Sequence, residues 1–354
     1  MKTGLVTIPL DYGRCPKWLF ERIKKLGGIM SELIIEEFGI DEFLRRLSHP
    51  VWFQSFGSLL AFDWNSSGLT VVLTAALKSV FRERNLGVYF AGGKGKTSRK
   101  TPNEILQISE KTGLDGESFS RLSKLIAKID NSLIQDNFNL YHHVFILTEK
   151  GNWAVIQQGM NINLQKARRY HWCNLFFPTK VKNLDEESHS GIISEIFLKK
   201  VLNLTAKESK SNKEGIIKIL NEEKNLIREI EKIFNQPQKI LFLEDVEFYS
   251  HPVVEEKFDI LRLRKTIEKA KFLQPKNIED LLLIEGVGPK TIRALSLASE
   301  LIYGERPSYE DPARYTFAHG GKDGTPYPVD RKTYDETIRI FNKALKLAKQ
   351  SKFF

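Results

Sequence analysis

The chain has 354 residues, with 54 lysines and arginines against 44 acids, a formal net charge of +10 and 41% hydrophobic residues. That length and apolar content suit about two domains with real cores, and the basic balance suits a nucleic-acid partner. Cys15 and Cys173, the only cysteines, are too few for a disulfide framework or a cysteine zinc site, and no apolar run approaches the ~18–20 residues of a membrane span, so a cytoplasmic protein without an export signal is expected.

Residues 18–39 and 40–62 carry apolar side chains at helical spacing, the second run interrupted by Pro50. LGVYFAGG, 86–93, reads as a strand entering a glycine turn, and 105–135 as two helices parted around Gly113 and Gly116. The clearest strand signal is 140–160, where two apolar stretches flank 149–152 as a β-hairpin. A polar run over 183–215, around a short apolar segment at 192–204, predicts a linker. Helical patterns follow at 216–235, 255–273 and 277–304, then a Gly/Pro-rich loop at 305–329 and a basic helix at 331–350. The expected fold class is α+β: a mixed α+β domain with basic loops over 1–182, and an all-helical domain over 216–354.

The segment 277–304, NIEDLLLIEGVGPKTIRALSLASELIYG, has the form of a helix-hairpin-helix DNA-binding element. Gly286 and Gly288 let the backbone turn tightly and approach a ligand. Pro289 opens the second helix, where its missing N–H costs nothing. The unpaired amides and positive dipole end of that helix suit one phosphate, and Lys290, Thr291 and Arg293 add donors. Such a site reads the sugar-phosphate backbone and not the bases.

Downstream, TPYPVDRKTY places Asp330 at the start of the last helix, 40 positions after Lys290. This region resembles the helix-hairpin-helix base-excision glycosylases, and among them the archaeal oxidised-guanine branch with its longer loop and Pro-x-Asp ending. The resemblance implies that Lys290 is an amine nucleophile toward the sugar carbon and that Asp330 assists it. A buried lysine of depressed pKa has that reactivity. Tyr315, Phe317, His319 and Tyr327 are candidates for the wall of a pocket holding a flipped base. Damaged or abasic DNA, or a single-stranded/duplex junction, is the expected partner, with no cofactor. The bland alternative makes Asp330 a helix N-cap and Lys290 a phosphate binder.

Three other patterns carry weaker signals. Asp136, His142 and His143, with Asp63, His171 and His251 nearby in type, could hold a divalent metal for a hydrolytic nuclease, although adjacent histidines on one strand point to opposite faces. Gly92–Thr97 matches the GGxGKT form of a deviant phosphate loop. Thr101-Pro102 argues against a helix opening directly from it, so the preferred reading is a flexible basic loop meeting phosphate through Lys94, Lys96, Arg99 and Lys100. In QKARRYHWCNLFFPTK, 165–180, Arg168, Arg169 and His171 are DNA-contact candidates; the alternative is a core edge that buries Trp172, Phe176 and Phe177 and leaves the arginines solvated. A non-enzymatic DNA-binding protein remains the third functional class.

FDWNSSGLTVVLTAALK, AGGKGKTSRKTP, LYHHVFILTEKGNWAVIQQGMN, ARRYHW and FAHGGKDGTPYPVDRKTYDETI together resemble a prokaryotic family known as domain of unknown function 763. That resemblance spans most of the chain and implies no chemistry.

Overall fold

Apolar strands covered on both faces by helices organise the chain. The computed structural model describes residues 15–60, 67–176, 183–194, 196–223, 225–235, 259–313 and 339. Its fold is α+β. Five strands, β1 (Val88–Lys94), β3 (Asn139–Thr148), β4 (Trp153–Asn161), β5 (Lys166–Cys173) and β6 (Gly191–Ser194), pair antiparallel in the order β1-β3-β4-β5-β6. The short strands β2 (Ile134–Gln135) and β7 (Leu202–Asn203) form a separate ladder. The expected β-hairpin is β3 and β4, closed by Gly151 at φ 78°.

On one face lie α1 (Lys17–Phe38), α2 (Ile40–Leu47), α3 (Pro50–Leu59) and α4 (Ser67–Arg84), packed through Phe43, Phe53, Leu69 and Leu73 onto Val88, Val144, Ile146 and Ile156. Pro50 does split the helical run: it occupies the first turn of α3, where its fixed φ fits, and His49 Nδ1 accepts from Trp52 N–H at 3.4 Å as the cap.

The opposite face carries α5 (Thr101–Thr112), α6 (Gly116–Lys128), α7 (Lys210–Glu222), α8 (Leu226–Asn235), α9 (Ile260–Leu273), α10 (Ile278–Leu283) and α11 (Pro289–Tyr303). Gly113, left-handed at φ 73°, ends α5, and Asp115 caps α6 by accepting from Ser118 N–H at 3.0 Å. One continuous apolar cluster runs from Ala91, Phe145 and Trp172 on the sheet to Leu281, Ile292 and Ala298 on the C-terminal helices. The helical part therefore shares a core with the sheet.

Two expectations are corrected. The segment 183–215 is no linker: β6 extends the sheet, β7 pairs with β2, and Val201, Leu202 and Leu204 are fully buried. Its polar look comes from residues that bond inward, such as Lys213 to Asp185 and Asn203 to Thr205. Residues 166–173, read as a basic aromatic surface or a core edge, are instead the inner strand β5. Asp330, Tyr315, Phe317, His319 and Tyr327 lie outside the described residues.

Candidate functional site

Register creates the site. His142 faces Gln158, which faces Arg169; one step along, His143 faces Gln157, which faces Tyr170. Side chains alternate across a sheet, so His142-His143, Gln157-Gln158 and Arg169-Tyr170 on three successive strands become two polar rows on opposite faces. All six of these side chains are buried.

On the α1–α4 face the Arg169 guanidinium donates to His171 Nε2 at 2.9 Å, to Thr70 Oγ1 at 2.9 Å and to Gln54 Oε1 at 2.8 Å, above the ring of Phe53. No carboxylate pairs with Arg169 among the described residues. Burial pulls its pKa down. Gln158 accepts from Thr70 at 2.5 Å and donates to Tyr141 and Ser67 O, and His142 meets Thr74 at 3.1 Å. Burial, then the charges of Lys94 and Arg169 and neighbouring His143, holds His142 at about 3; burial and Arg169 hold His171 well below the usual imidazole range. Both imidazoles are neutral near pH 7 and leave a buried Nδ1 without a partner.

On the α5–α6 face His143 bonds Ser123 at 2.8 Å and Gln157 at 2.7 Å, and Gln157 donates on to Asp130. Beside this chain, Arg168 donates to Asp136 at 2.9 Å, to Asp311 at 2.9 and 2.7 Å, and to Ile196 O at 3.2 Å, and Tyr170 donates to Asp136 at 2.7 Å. Burial, reinforced by Asp136, pushes the Tyr170 phenol well above its ordinary value.

These contacts correct several expectations. Arg168, Arg169 and His171 are at most 1% exposed and bonded inward, so no phosphate can reach them in this conformation. Asp136, His142 and His143 do not assemble: His142 and His143 project to opposite faces and Asp136 is held by Arg168, Tyr170 and Phe138 N–H. Among the described residues no group of three His, Cys, Asp or Glu side chains could hold a metal ion.

The basic loop also differs from expectation. Gly95–Lys100 is a 3-10 turn that leads directly into α5, because Pro102 sits within the first helical turn where proline is preorganised. Gly92 is required: at φ 97° an added Cβ would lie 2.2 Å from His143 O. Glu104 accepts from Gly92 N–H at 2.7 Å and from Lys78 at 2.5 Å, and Lys78 donates to Gly92 O at 2.8 Å, pinning the strand end. Lys94, Lys96, Arg99 and Lys100 stay exposed.

The 277–304 segment forms two helices joined by a tight turn. Gly286 is left-handed at φ 93°, Gly288 precedes α11, and Pro289 is its first residue. Space is open where a Gly288 Cβ would stand. Lys290 is exposed, whereas Thr291 and Arg293 are buried at 5% and 6%, which removes both from the surface. The sheet side braces the turn: Lys128 donates to Val287 O, Gln135 donates to Pro289 O at 2.9 Å, and Arg293 donates to Gln135 at 2.8 Å. Gln135 lies just before β3, whose first residues pair near Lys94, so the turn and the basic loop occupy one end of the sheet.

Sequence reasoning missed Gln157, Gln158, Asp130, His189 and Asp311. The signal for some of them was the sequence of doublets HH, QQ and RR in three neighbouring apolar stretches. No helix of the described residues is long and apolar enough to cross a membrane. A family model described as "Protein of unknown function (DUF763)" matches residues 4–329. No curated protein and no solved structure matches the chain.

Proposed function

We propose, for a chain that belongs to the DUF763 family and takes no activity from it, that it binds DNA by the sugar-phosphate backbone. One observation carries this reading: a rigidly braced turn ends in an open glycine at the start of α11, with exposed Lys290 beside it. The first N–H groups of any helix lack partners within that helix, and with the dipole they favour an anion. Exposed Lys94, Lys96, Arg99 and Lys100, at the same end of the sheet, extend the positive track. Neither element offers a base-reading side chain, so binding is insensitive to sequence and sensitive to salt.

The test is the salt dependence of binding to duplex, single-stranded and abasic oligonucleotides. Each lost phosphate contact lowers the log–log salt slope by about 0.9 on duplex DNA. Lys290→Ala is expected to lower it by about one such step, and joint replacement of the four loop cations by about four. Binding that ignores both changes, or no duplex binding at low salt, overturns the reading.

A second reading is favoured by the exposed position of Lys290 at the turn: a lyase or glycosylase acting on damaged or abasic DNA, with Lys290 as nucleophile and Asp330 assisting. Lys290 is exposed, so the burial that activates such an amine must come from the DNA itself. Borohydride trapping on an abasic oligonucleotide decides it. A covalent adduct formed by the wild type and lost in Lys290→Ala supports the lyase; an adduct that persists in Lys290→Ala removes Lys290 from the chemistry.

A further inference from the structure

Helix α1, Lys17–Phe38, has two unlike sides. The inner side packs on α4: Ile23, Gly27, Gly28 and Ser31 are buried, and a Cβ added to Gly28 would stand 3.0 Å from Val80 Cγ1. The outer side carries Trp18, Leu26, Ile29 and Leu33, exposed by 61, 45, 42 and 58%. At 3.6 residues per turn these four positions fall within about 80° of one another, so they form one apolar stripe along the helix. A contiguous apolar surface left in solvent adds nothing to the stability of its own fold and marks an interaction site.

Charge indicates what covers it. Residues 17–27 hold Lys17, Arg22, Lys24 and Lys25 against Glu21, whereas residues 28–38 hold Glu32, Glu36 and Glu37 and no cation. On the flanks toward α4 the charges are already used: Lys24 pairs with Glu83 at 3.0 Å, and Glu32 pairs with Arg84. Beside the stripe they are not. Arg22 lies over the Trp18 ring at 5.4 Å and donates to Trp18 O, and no ion pair engages Arg22, Lys25, Glu36 or Glu37 among the described residues. The outer side is therefore basic at its start, apolar in its middle and acidic at its end, which is the complement of its own reverse. DNA or an anionic membrane would meet the glutamates, and a parallel copy would set like charge against like.

We propose that α1 is the contact surface of a two-fold dimer of this chain, with the α1 helices of two copies packed antiparallel. An axis between Ile29 and Met30 sets Leu26 of one copy opposite Leu33 of the other and Arg22 opposite Glu37, with Lys25 in reach of Glu36. The interface is isologous, so each of these contacts occurs twice. Leu26, Ile29 and Leu33, spaced by three and four positions, have the seam spacing of interdigitating helices. Opposed helix dipoles favour the same arrangement. The surface uses no residue of the turn at Gly288, and the proposal stands whether or not the chain binds DNA.

The test is sedimentation equilibrium of the full chain over a concentration series, with circular dichroism to confirm that each variant keeps its helices. The wild type should pass from monomer to dimer. Three double variants change exposed positions only. Leu26→Ser with Leu33→Ser removes the apolar centre, Arg22→Glu with Lys25→Glu makes the outer side acidic throughout, and Glu36→Lys with Glu37→Lys makes it basic throughout. Each should weaken the dimer on the order of tenfold or more, because the axis repeats every change. Mixed in equal amounts, the acidic and basic variants should recover a mixed dimer, since each now complements the other along the whole helix. A wild type still monomeric at about 100 μM, a dimer that ignores any of the three changes, or acidic and basic variants that fail to associate when mixed overturns the proposal.

Discussion

Arg168 and Arg169 are neighbours on β5, both fully buried, and each guanidinium lies over a phenylalanine ring, Phe138 at 4.7 Å and Phe53 at 4.6 Å. Their charges are managed in opposite ways. Burial opposes the charge of Arg168, but Asp136 and Asp311 override it and lift its pKa. Arg169 has neutral acceptors, Gln54, Thr70 and His171, and burial leaves its pKa lowered. One face of the sheet thus holds a closed ionic knot that ties residues 136, 168 and 311 together. The other holds a cation solvated by protein dipoles, around which any further positive charge is costly.

The largest consequence is acid sensitivity on the Arg169 side. His142 and His171 sit beside Arg169, and His49 lies near His171 and Arg45; burial followed by positive neighbours holds His49 at about 4 and His142 at about 3. Unfolded imidazoles take up protons near 6.5. Between that value and the folded ones the unfolded chain binds more protons, so stability is complete above about pH 6.5 and falls as pH drops toward 4. His49 and His142 should each cost roughly 3 kcal/mol by pH 4, with His143 and His171 adding to it. Urea unfolding from pH 7 to 4 measures the slope. A His142→Gln variant should flatten it by about one proton, and an unchanged slope would remove His142 from the account.

Next in size is the contrast between the arginines themselves. Arg168→Met strands two buried carboxylates and should lose about 3–5 kcal/mol in denaturant unfolding at pH 7. Arg169→Met strands only neutral acceptors and should lose about 1–3 kcal/mol, while relieving the low imidazole pKa values nearby. Equal losses would show that hydrogen bonding, and not charge pairing, governs both faces.

Much of this architecture was legible locally. Alternation and turn residues gave β3 and β4 in 140–160, Gly113 parted two helices, and the Gly-Val-Gly turn is where 277–304 bends. Burial of charge was not legible, because it is settled by distant partners: Arg168 finds Asp311 143 positions along the chain, and Arg169 finds Gln54 115 positions back. A window on QKARRYHW sees three cations beside aromatics, which is also how a nucleic-acid surface reads. The same cause hid β6 inside an apparent linker, whose polar groups bond to each other or to the helices beyond. Pro102 misled in a different way, since proline breaks a helix interior but suits its first turn.

The smallest effect concerns the brace between the sheet and the Gly286–Pro289 turn proposed to bind phosphate. Gln135 joins Pro289 O to Arg293, and Lys128 donates to Val287 O, so the turn keeps its shape through groups that belong to the sheet side. Gln135→Leu removes three hydrogen bonds, those to Pro289 O and Ser132 O and the one from Arg293, and should cost on the order of 1–2 kcal/mol of stability. None of these bonds involves the exposed cations, so on the proposed reading DNA affinity should fall severalfold while the salt slope stays where it is. Lys290→Ala is expected to do the reverse in proportion, lowering the slope with little loss of stability. A slope that drops in Gln135→Leu would mean that this side chain meets phosphate directly, and the separation between an exposed charged edge and an inward-bonded support would fail.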